Sequence, residues 1–374
     1  MATDALDYVT VKGFKSIRSI EKLELRPINV LIGPNGAGKS NLLGIFAFLH
    51  AIREGRLQNY VIEAGGAEKV LHFGSKRTKR IEIDISFRKG VNQYSLRLAP
   101  SNDDSLYPEI ETVSFWDKER FPNGPYYDEP LLPVASGKEA GISNSRVART
   151  ASWVRNRLGG WLRYQAHDTS SSSPLRKTSN VNDNAFLRQD GANLAAFLHL
   201  LQERHPDSYG VIRQTIQRVA PFFDDFNLAP LALNPDSIKL EWKHTNSDQY
   251  FDAASFSDGT LRFIFLATLF LQPHSLRPSV ILIDEPELGM HPYAIELLAS
   301  LIRQASKETQ VIAATQSSLL LDQFDPEDIL VANRVDGATT IDRLKPEPLA
   351  EWLKEYSLGQ LWEKGEFAGR PVKE

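Results

Sequence analysis

An α/β fold built on a parallel sheet with helices on both faces is predicted by the order of the apolar segments. Residues 28–32, 280–283 and 311–315 are short, nearly continuous apolar runs, as strands buried on both faces are. Helical spacing follows the first run, at Leu42, Phe46, Leu49 and Ile52, and fills residues 292–308 between the second and third. The runs come from opposite ends of a 374-residue chain. One sheet is therefore assembled from both ends, and the middle is an insertion. The length suits two domains, or one large domain carrying an insertion.

The elements read in order as follows. Residues 8–14 and 20–25 alternate apolar and polar side chains, as half-buried strands do. The strand 28–32 leads into a helix that begins near Lys39. Ile81, Ile83, Ile85 and Phe87 alternate, as do Tyr94, Leu96 and Leu98, predicting a hairpin that turns near Lys89 and Gly90. From about residue 100 to 184 the chain is richer in Pro, Ser, Asn and Gly, and 168–184 reads as a polar loop, expected to be mobile. Helices are expected at 193–204 and 206–219, and a strand pair at 238–244 and 249–253. The domain reading is thus 1–100 for the first half of the sheet domain, 101–235 for an inserted, mainly helical lid, and 236–374 for the second half.

Composition narrows the chemistry. The formal net charge is −4, so nucleic-acid binding would need a local basic patch. There is no cysteine, which removes disulfides, thiolate metal sites and cysteine nucleophiles. The N-terminus lacks a signal-peptide layout, and the longest apolar run, near 261–271, is too short for a bilayer span. A cytoplasmic protein without membrane contact is expected.

The strongest motif is GPNGAGKS, residues 33–40, which matches G-x-x-x-x-G-K-[ST] between a strand and a helix. Gly33, Pro34, Asn35, Gly36, Ala37 and Gly38 would let backbone N–H groups wrap a phosphate, aided by the positive end of the following helix. Lys39 would reach the β- and γ-phosphates, the Ser40 hydroxyl would ligate Mg2+, and Asn41 follows in the same helix turn. ATP and Mg2+ are therefore the expected cofactors; the plain alternative is a glycine-rich turn. The second motif is VILIDEPELGMHP, residues 280–292. A buried strand would deliver Asp284 at its carboxyl end as a Mg2+ ligand, with Glu285 positioning or deprotonating the attacking water. Otherwise these are two surface acids after a core strand. In the third, SFSDGTLRF, Ser257 and Gly259 precede an apolar helix, where an ordinary N-cap is the simpler reading.

These motifs together resemble the RecF/SMC-type branch of ABC ATPases. More closely, the chain resembles a compact bacterial "predicted ATPase" group related to the ATPase halves of OLD-family nucleases. VTVKGFKSIRS, GPNGAGKSNLL, LHFGSK, FSDGTLRF, DEPELGMHP, ATQSSLLLD and YSLGQLWEKGEFAGRP carry the resemblance. It implies a homodimer in which two heads sandwich two ATP molecules, with Ser257 and Gly259 on the γ-phosphate held by the other head. Two departures stand out. Gln316 occupies the family's switch-histidine position, and an amide cannot take a proton charge at neutral pH. Asp258 replaces the first glycine of a transporter-type signature, which argues against a transporter subunit. No residue is assigned to the family's glutamine loop, although His72 and Gln93 lie in its general region.

Arg146, Arg149, Trp153 and Arg157 would share one face of a helix, with Arg163, Arg176 and Lys177 beyond it and KRTKR at 76–80 as a second basic cluster. Such a face suits a phosphate backbone; the bland reading is a core tryptophan with solvated arginines. The resemblance implies action on DNA or nucleoprotein, in repair or defence against foreign DNA. The alternative is a slow ATPase scaffold controlling a separately encoded effector, since fewer than about 60 residues follow Gln316, below the size of a typical nuclease domain.

Overall fold

The computed structural model describes residues 5–367 apart from 125, 126, 136, 166, 167 and 171. The chain opens with β1 (Leu6–Phe14), β2 (Ile17–Glu24) and β3 (Ile28–Ile32), then α1 (Lys39–Arg53), α2 (Leu57–Glu63) and α3 (Ala67–Val70). Next come β4 (Ile81–Phe87), β5 (Asn92–Pro100), β6 (Leu106–Phe115) and β7 (Tyr127–Pro130), followed by α4 (Arg149–Gly159) and β8 (Arg163–Tyr164). The chain continues with β9 (Ser179–Asn180), α5 (Leu194–Arg204), α6 (Pro206–Val219), β10 (Phe223–Asn227), β11 (Ser237–Ile238), β12 (Glu241–His244) and β13 (Tyr250–Asp252). The last third holds α7 (Asp258–Leu271), β14 (Val280–Asp284), α8 (Pro292–Ala305), β15 (Gln310–Thr315), α9 (Ser318–Leu321), β16 (Ile329–Val335), β17 (Ala338–Arg343) and α10 (Leu358–Lys364).

Two six-stranded sheets organise these elements. One has the order β2-β1-β4-β5-β6-β7 and is antiparallel throughout. The other has the order β17-β16-β3-β15-β14-β8, parallel from β16 to β8, with β17 turned antiparallel at the edge. The first sheet continues past the expected boundary at residue 100, because β6 pairs with β5 along its whole length. The prolines there do not end the sheet, since Pro100, Pro108 and Pro130 lie within β5, β6 and β7.

Alternation along the parallel strands separates two cores. Val30, Ile32, Ile281, Ile283 and Val311 face α5 to α8, whereas Leu31, Leu282, Ile312 and Ala314 face α1 and the antiparallel sheet. Helix α7 lies inside the first core, where every residue from Leu261 to Leu271 is buried. No helix among the described residues is long and apolar enough to cross a membrane. The segment expected to be a mobile loop is partly anchored: Ser173 and Leu175 are buried, and Ser179–Asn180 pairs with β11.

A directed hydrogen-bond chain fastens the loop after β3 to the turn between β1 and β2 and to the edge strand β17. Asn41 Nδ2 donates to Ser16 Oγ (2.6 Å), which lies 2.6 Å from Thr339 Oγ1. Thr339 Oγ1 donates to the Ala37 carbonyl (2.8 Å), and the Thr339 N–H donates to the Ser16 carbonyl (2.8 Å). Thr339 is only 1% exposed, so its hydroxyl has no water to fall back on. Thr339→Val keeps the shape and removes the hydroxyl. We expect it to lower unfolding stability by about 1–3 kcal/mol in urea titration. An unchanged midpoint would show that the chain of hydrogen bonds does not hold this loop.

Candidate functional site

The carboxyl ends of the parallel strands converge the motif residues. Strand β3 ends at Ile32 and gives way to the loop 33–38, whose glycines have distinct geometric roles. Gly38 has φ +100°, and a Cβ there would lie 2.0 Å from Thr339 Oγ1. Gly36 has φ +80° with open space around it, so its backbone rather than its packing demands glycine. Asn35, Gly36 and Ser40 are exposed, Pro34, Gly38 and Asn41 half-buried, and Gly33, Ala37 and Lys39 buried. Lys39 turns back over the loop, its Nζ donating to the carbonyls of Gly33 (2.6 Å) and Pro34 (3.1 Å). Burial pushes the Lys39 ammonium pKa down, while Glu285 and Asp284 oppose that shift. The two carboxylates and this lysine therefore share one electrostatic neighbourhood.

Strand β14 supplies Asp284 as its last residue, buried and ion-paired with Arg163 of the neighbouring parallel strand β8. The next residue, Glu285, has φ +43°, a left-handed conformation that costs a non-glycine residue energy and often marks functional positions. Its N–H still donates to the Ala314 carbonyl of β15 (2.8 Å), so the turn is tied to the sheet. Gln316, which follows β15, donates from Nε2 to Glu285 Oε1 at 2.5 Å. The structure thus brings Glu285 and Gln316 into direct contact. Behind them, Glu287 accepts from Thr315 Oγ1, and burial raises its carboxyl pKa. An oxygen donor set of Asp284 and Ser40, with one buried carboxylate, fits a hard divalent cation that keeps water and phosphate oxygens in its shell.

Ser257 and Gly259 sit at the start of α7. Ser257 Oγ accepts from the Thr260 N–H (3.2 Å), as an N-cap does. A Cβ on Gly259 would lie 2.2 Å from the Gly289 carbonyl, so this glycine lets α7 pack on the turn that follows Glu285. Arg176 holds the approach to this helix. It donates to the carbonyls of Ala253, Thr169 (2.8 Å) and Phe256 (3.3 Å) and pairs with Asp258 at 2.9 Å. Its side chain is 8% exposed, so Arg176 does not belong to an outward basic face.

Other sequence expectations are redistributed. Helix α4 begins at Arg149, which leaves Arg146 outside it. Trp153 packs edge-on against Phe87 (5.3 Å), and the Arg157 guanidinium lies over Trp153 at 5.0 Å. His72 is buried, 2.8 Å from the Lys15 carbonyl, and Gln93 Nε2 donates to the Gly90 carbonyl at 3.1 Å. Gln165, directly after β8, also lies beside the site: with its amide oxygen turned toward the guanidinium, the orientation that satisfies both groups, it accepts from Arg163 Nε (2.7 Å) and Nη2 (2.8 Å). Only the pairing of β8 with β14 identifies it, because two strand residues carry no periodic signal.

The family model "AAA domain, putative AbiEii toxin, Type IV TA system" matches residues 28–322. Solved structures give the fold independently. A SmcHead crystallised with the C-winged helix domain of ScpA is 16% identical, covers 92% of this chain and 99% of its own, and has TM-score 0.59. The Smc head domain with an extended coiled coil from Pyrococcus furiosus is 16% identical over 94% of this chain and 99% of its own, at TM-score 0.55. A Smc head from Pyrococcus yayanosii is 12% identical over 94% and 99%, at TM-score 0.53. The fold is that of a compact SMC-head-like P-loop ATPase, and the chain belongs to the AAA-domain family described for the putative AbiEii toxin of type IV toxin–antitoxin systems.

Proposed function

We propose that the protein binds and hydrolyses ATP at the loop 33–40, and that ATP gates the pairing of two heads. The observation that carries this reading is the convergence of Lys39, Asp284, Glu285 and Gln316 at the carboxyl ends of three adjacent parallel strands. Ligands bind at that edge in open α/β sheets. Backbone N–H groups of residues 33–40 would hold the phosphates, and Lys39 would exchange its two carbonyl partners for phosphate oxygens. Ser40 and Asp284 would hold Mg2+, whose charge would offset that of the triphosphate. Glu285 would accept a proton from the attacking water, with Gln316 fixing the carboxylate's orientation.

Exposed apolar side chains flank this edge: Leu288 and Tyr293 after Glu285, and Leu319 after Gln316. They support a head-to-head partner that presents Ser257 and the amino end of α7 to the phosphate. DNA or nucleoprotein is the substrate we infer, with the exposed Arg146 and Arg149 as phosphate contacts, in repair or antiviral defence in the cytoplasm. A second reading is favoured by the family description: an ATPase subunit that controls a separately encoded effector, with turnover slowed by Gln316 in place of a titratable group.

Three outcomes follow. Lys39→Ala loses a charge-assisted phosphate contact and should weaken ATP binding about a hundredfold or more. Unchanged affinity by calorimetry would sink the assignment of the loop. Glu285→Gln should bind ATP, turn it over about a hundredfold more slowly, and accumulate a dimer in light scattering. Ser257→Arg should bind ATP yet remain monomeric, and both variants behaving as wild type in mass and turnover would refute the sandwich. Finally, Arg146→Glu with Arg149→Glu should weaken duplex DNA binding and flatten its salt dependence by about two units in the log–log slope. Anisotropy unchanged across a salt series, in a variant that melts normally, would redirect attention to a protein partner.

A further inference from the structure

Arg163 places a permanent positive charge on the carboxylate that a divalent cation would need. The pairing of β8 with β14 aligns Arg163 with Leu282, two residues before Asp284, so the long arginine side chain reaches along the strand to its end. There Arg163 Nη2 pairs with Asp284 Oδ2. The side chains are 24% and 10% exposed, so water screens the pair only in part. With the Gln165 amide oxygen turned toward it, the orientation that satisfies both groups, the same guanidinium also donates to Gln165 through Nε (2.7 Å) and Nη2 (2.8 Å). Gln165 in turn is bonded through its N–H to the Gln189 carbonyl (2.9 Å), which lies just before α5 of the insertion. One cation thus links the carboxylate of β14 to the chain that enters the insertion.

We propose that Arg163 is an internal counter-cation that competes with Mg2+ for Asp284, and that loading of Mg2+ and nucleotide hands the guanidinium from Asp284 to the triphosphate. This inference rests on the assignment of the ATP site above. A guanidinium released from a carboxylate prefers another oxyanion, and a phosphate offers the same bidentate geometry. Arg163 is a positioning residue on this account. Its movement would carry Gln165 with it and so report the state of the nucleotide site to the insertion. A purely structural clamp between β8 and β14 would use the same ion pair. The two roles differ in what they predict for Mg2+, since only a competitor alters the metal concentration needed.

The test is equilibrium binding of N-methylanthraniloyl-ATP, followed by anisotropy, across a Mg2+ series and in excess EDTA. In Arg163→Gln, the Mg2+ midpoint for binding should fall about fivefold, the size of a partly screened ion pair. Binding in EDTA should weaken, because a cation near the triphosphate has gone. Arg163→Lys keeps the charge and should restore the EDTA affinity. Arg163→Ala should shift the midpoint in the same direction as Arg163→Gln, and thermal melts of all three variants identify which are folded. A midpoint that stays put or rises in a folded, charge-removed variant overturns the competition, and a lower melt with no change in the Mg2+ series assigns Arg163 to the clamp. Wild-type protein that fails to bind the analogue at any Mg2+ concentration would instead overturn the ATP-site reading itself.

Discussion

The parallel pairing of β3, β15 and β14 is the constraint on which the site depends. Strand β3 lies near the amino end of the chain, and the other two lie near the carboxyl end. In-register pairing of Ile32 with Thr315, and of Asp284 with Ala314, brings the loop after β3, the Glu285 turn and Gln316 to one edge. A slip of one residue would exchange the two apolar faces of each strand. Those faces are committed to separate cores, so register is enforced from both sides. The site inherits its precision from that burial.

Charge is balanced locally at this edge. Lys39 lies near Asp284 and Glu285, and Arg163 pairs with Asp284, so both cations are already engaged by the protein, while the buried Glu287 behind them shares its surroundings with Arg262. Lys39 rests on carbonyls, which are weaker partners than a phosphate, so exchanging them for an oxyanion is favourable. Arg163 rests on a carboxylate, so its exchange is closer to balanced and more sensitive to a competing ion. The strained Glu285 backbone is held by the Ala314 carbonyl and by Gln316, which leaves its carboxylate with little freedom.

The amino end of α7 is tied to the insertion rather than free. Trp242 of β12 stacks on Phe256 with ring centroids 4.6 Å apart, and its Nε1 donates to Ser255 Oγ at 2.9 Å. Arg176, in the turn before β9, clamps the same segment through Asp258 and two carbonyls. Displacement of the insertion would therefore be felt at Ser257. Together with the Gln165 N–H bonded to the Gln189 carbonyl, this connects the chain before α5 and strand β12 to the edge where the motif residues meet.

Much of this was legible in the sequence because it is local. Continuous apolar runs mark strands buried on both faces, and Ile28–Ile32 and Pro206–Val219 occupy the positions their periodicity implies. Glycines at 36 and 38 reflect backbone angles that the loop itself requires. By contrast, Ser16 and Thr339 meet across 323 residues, and Arg163 and Asp284 across 121. Asp284 is marked by its motif, but nothing local in Ser16, Thr339 or Arg163 names its partner. The basic residues show the same division: spacing places Arg149, Trp153 and Arg157 on one helix, but only the fold shows that Arg146 lies outside it, that Arg176 turns inward to the segment before α7 and that Arg163 meets Asp284. Local sequence determines backbone shape and which face is apolar. Which charge meets which is decided by the order of strands in the sheet, since that order alone sets the distances across which charges act.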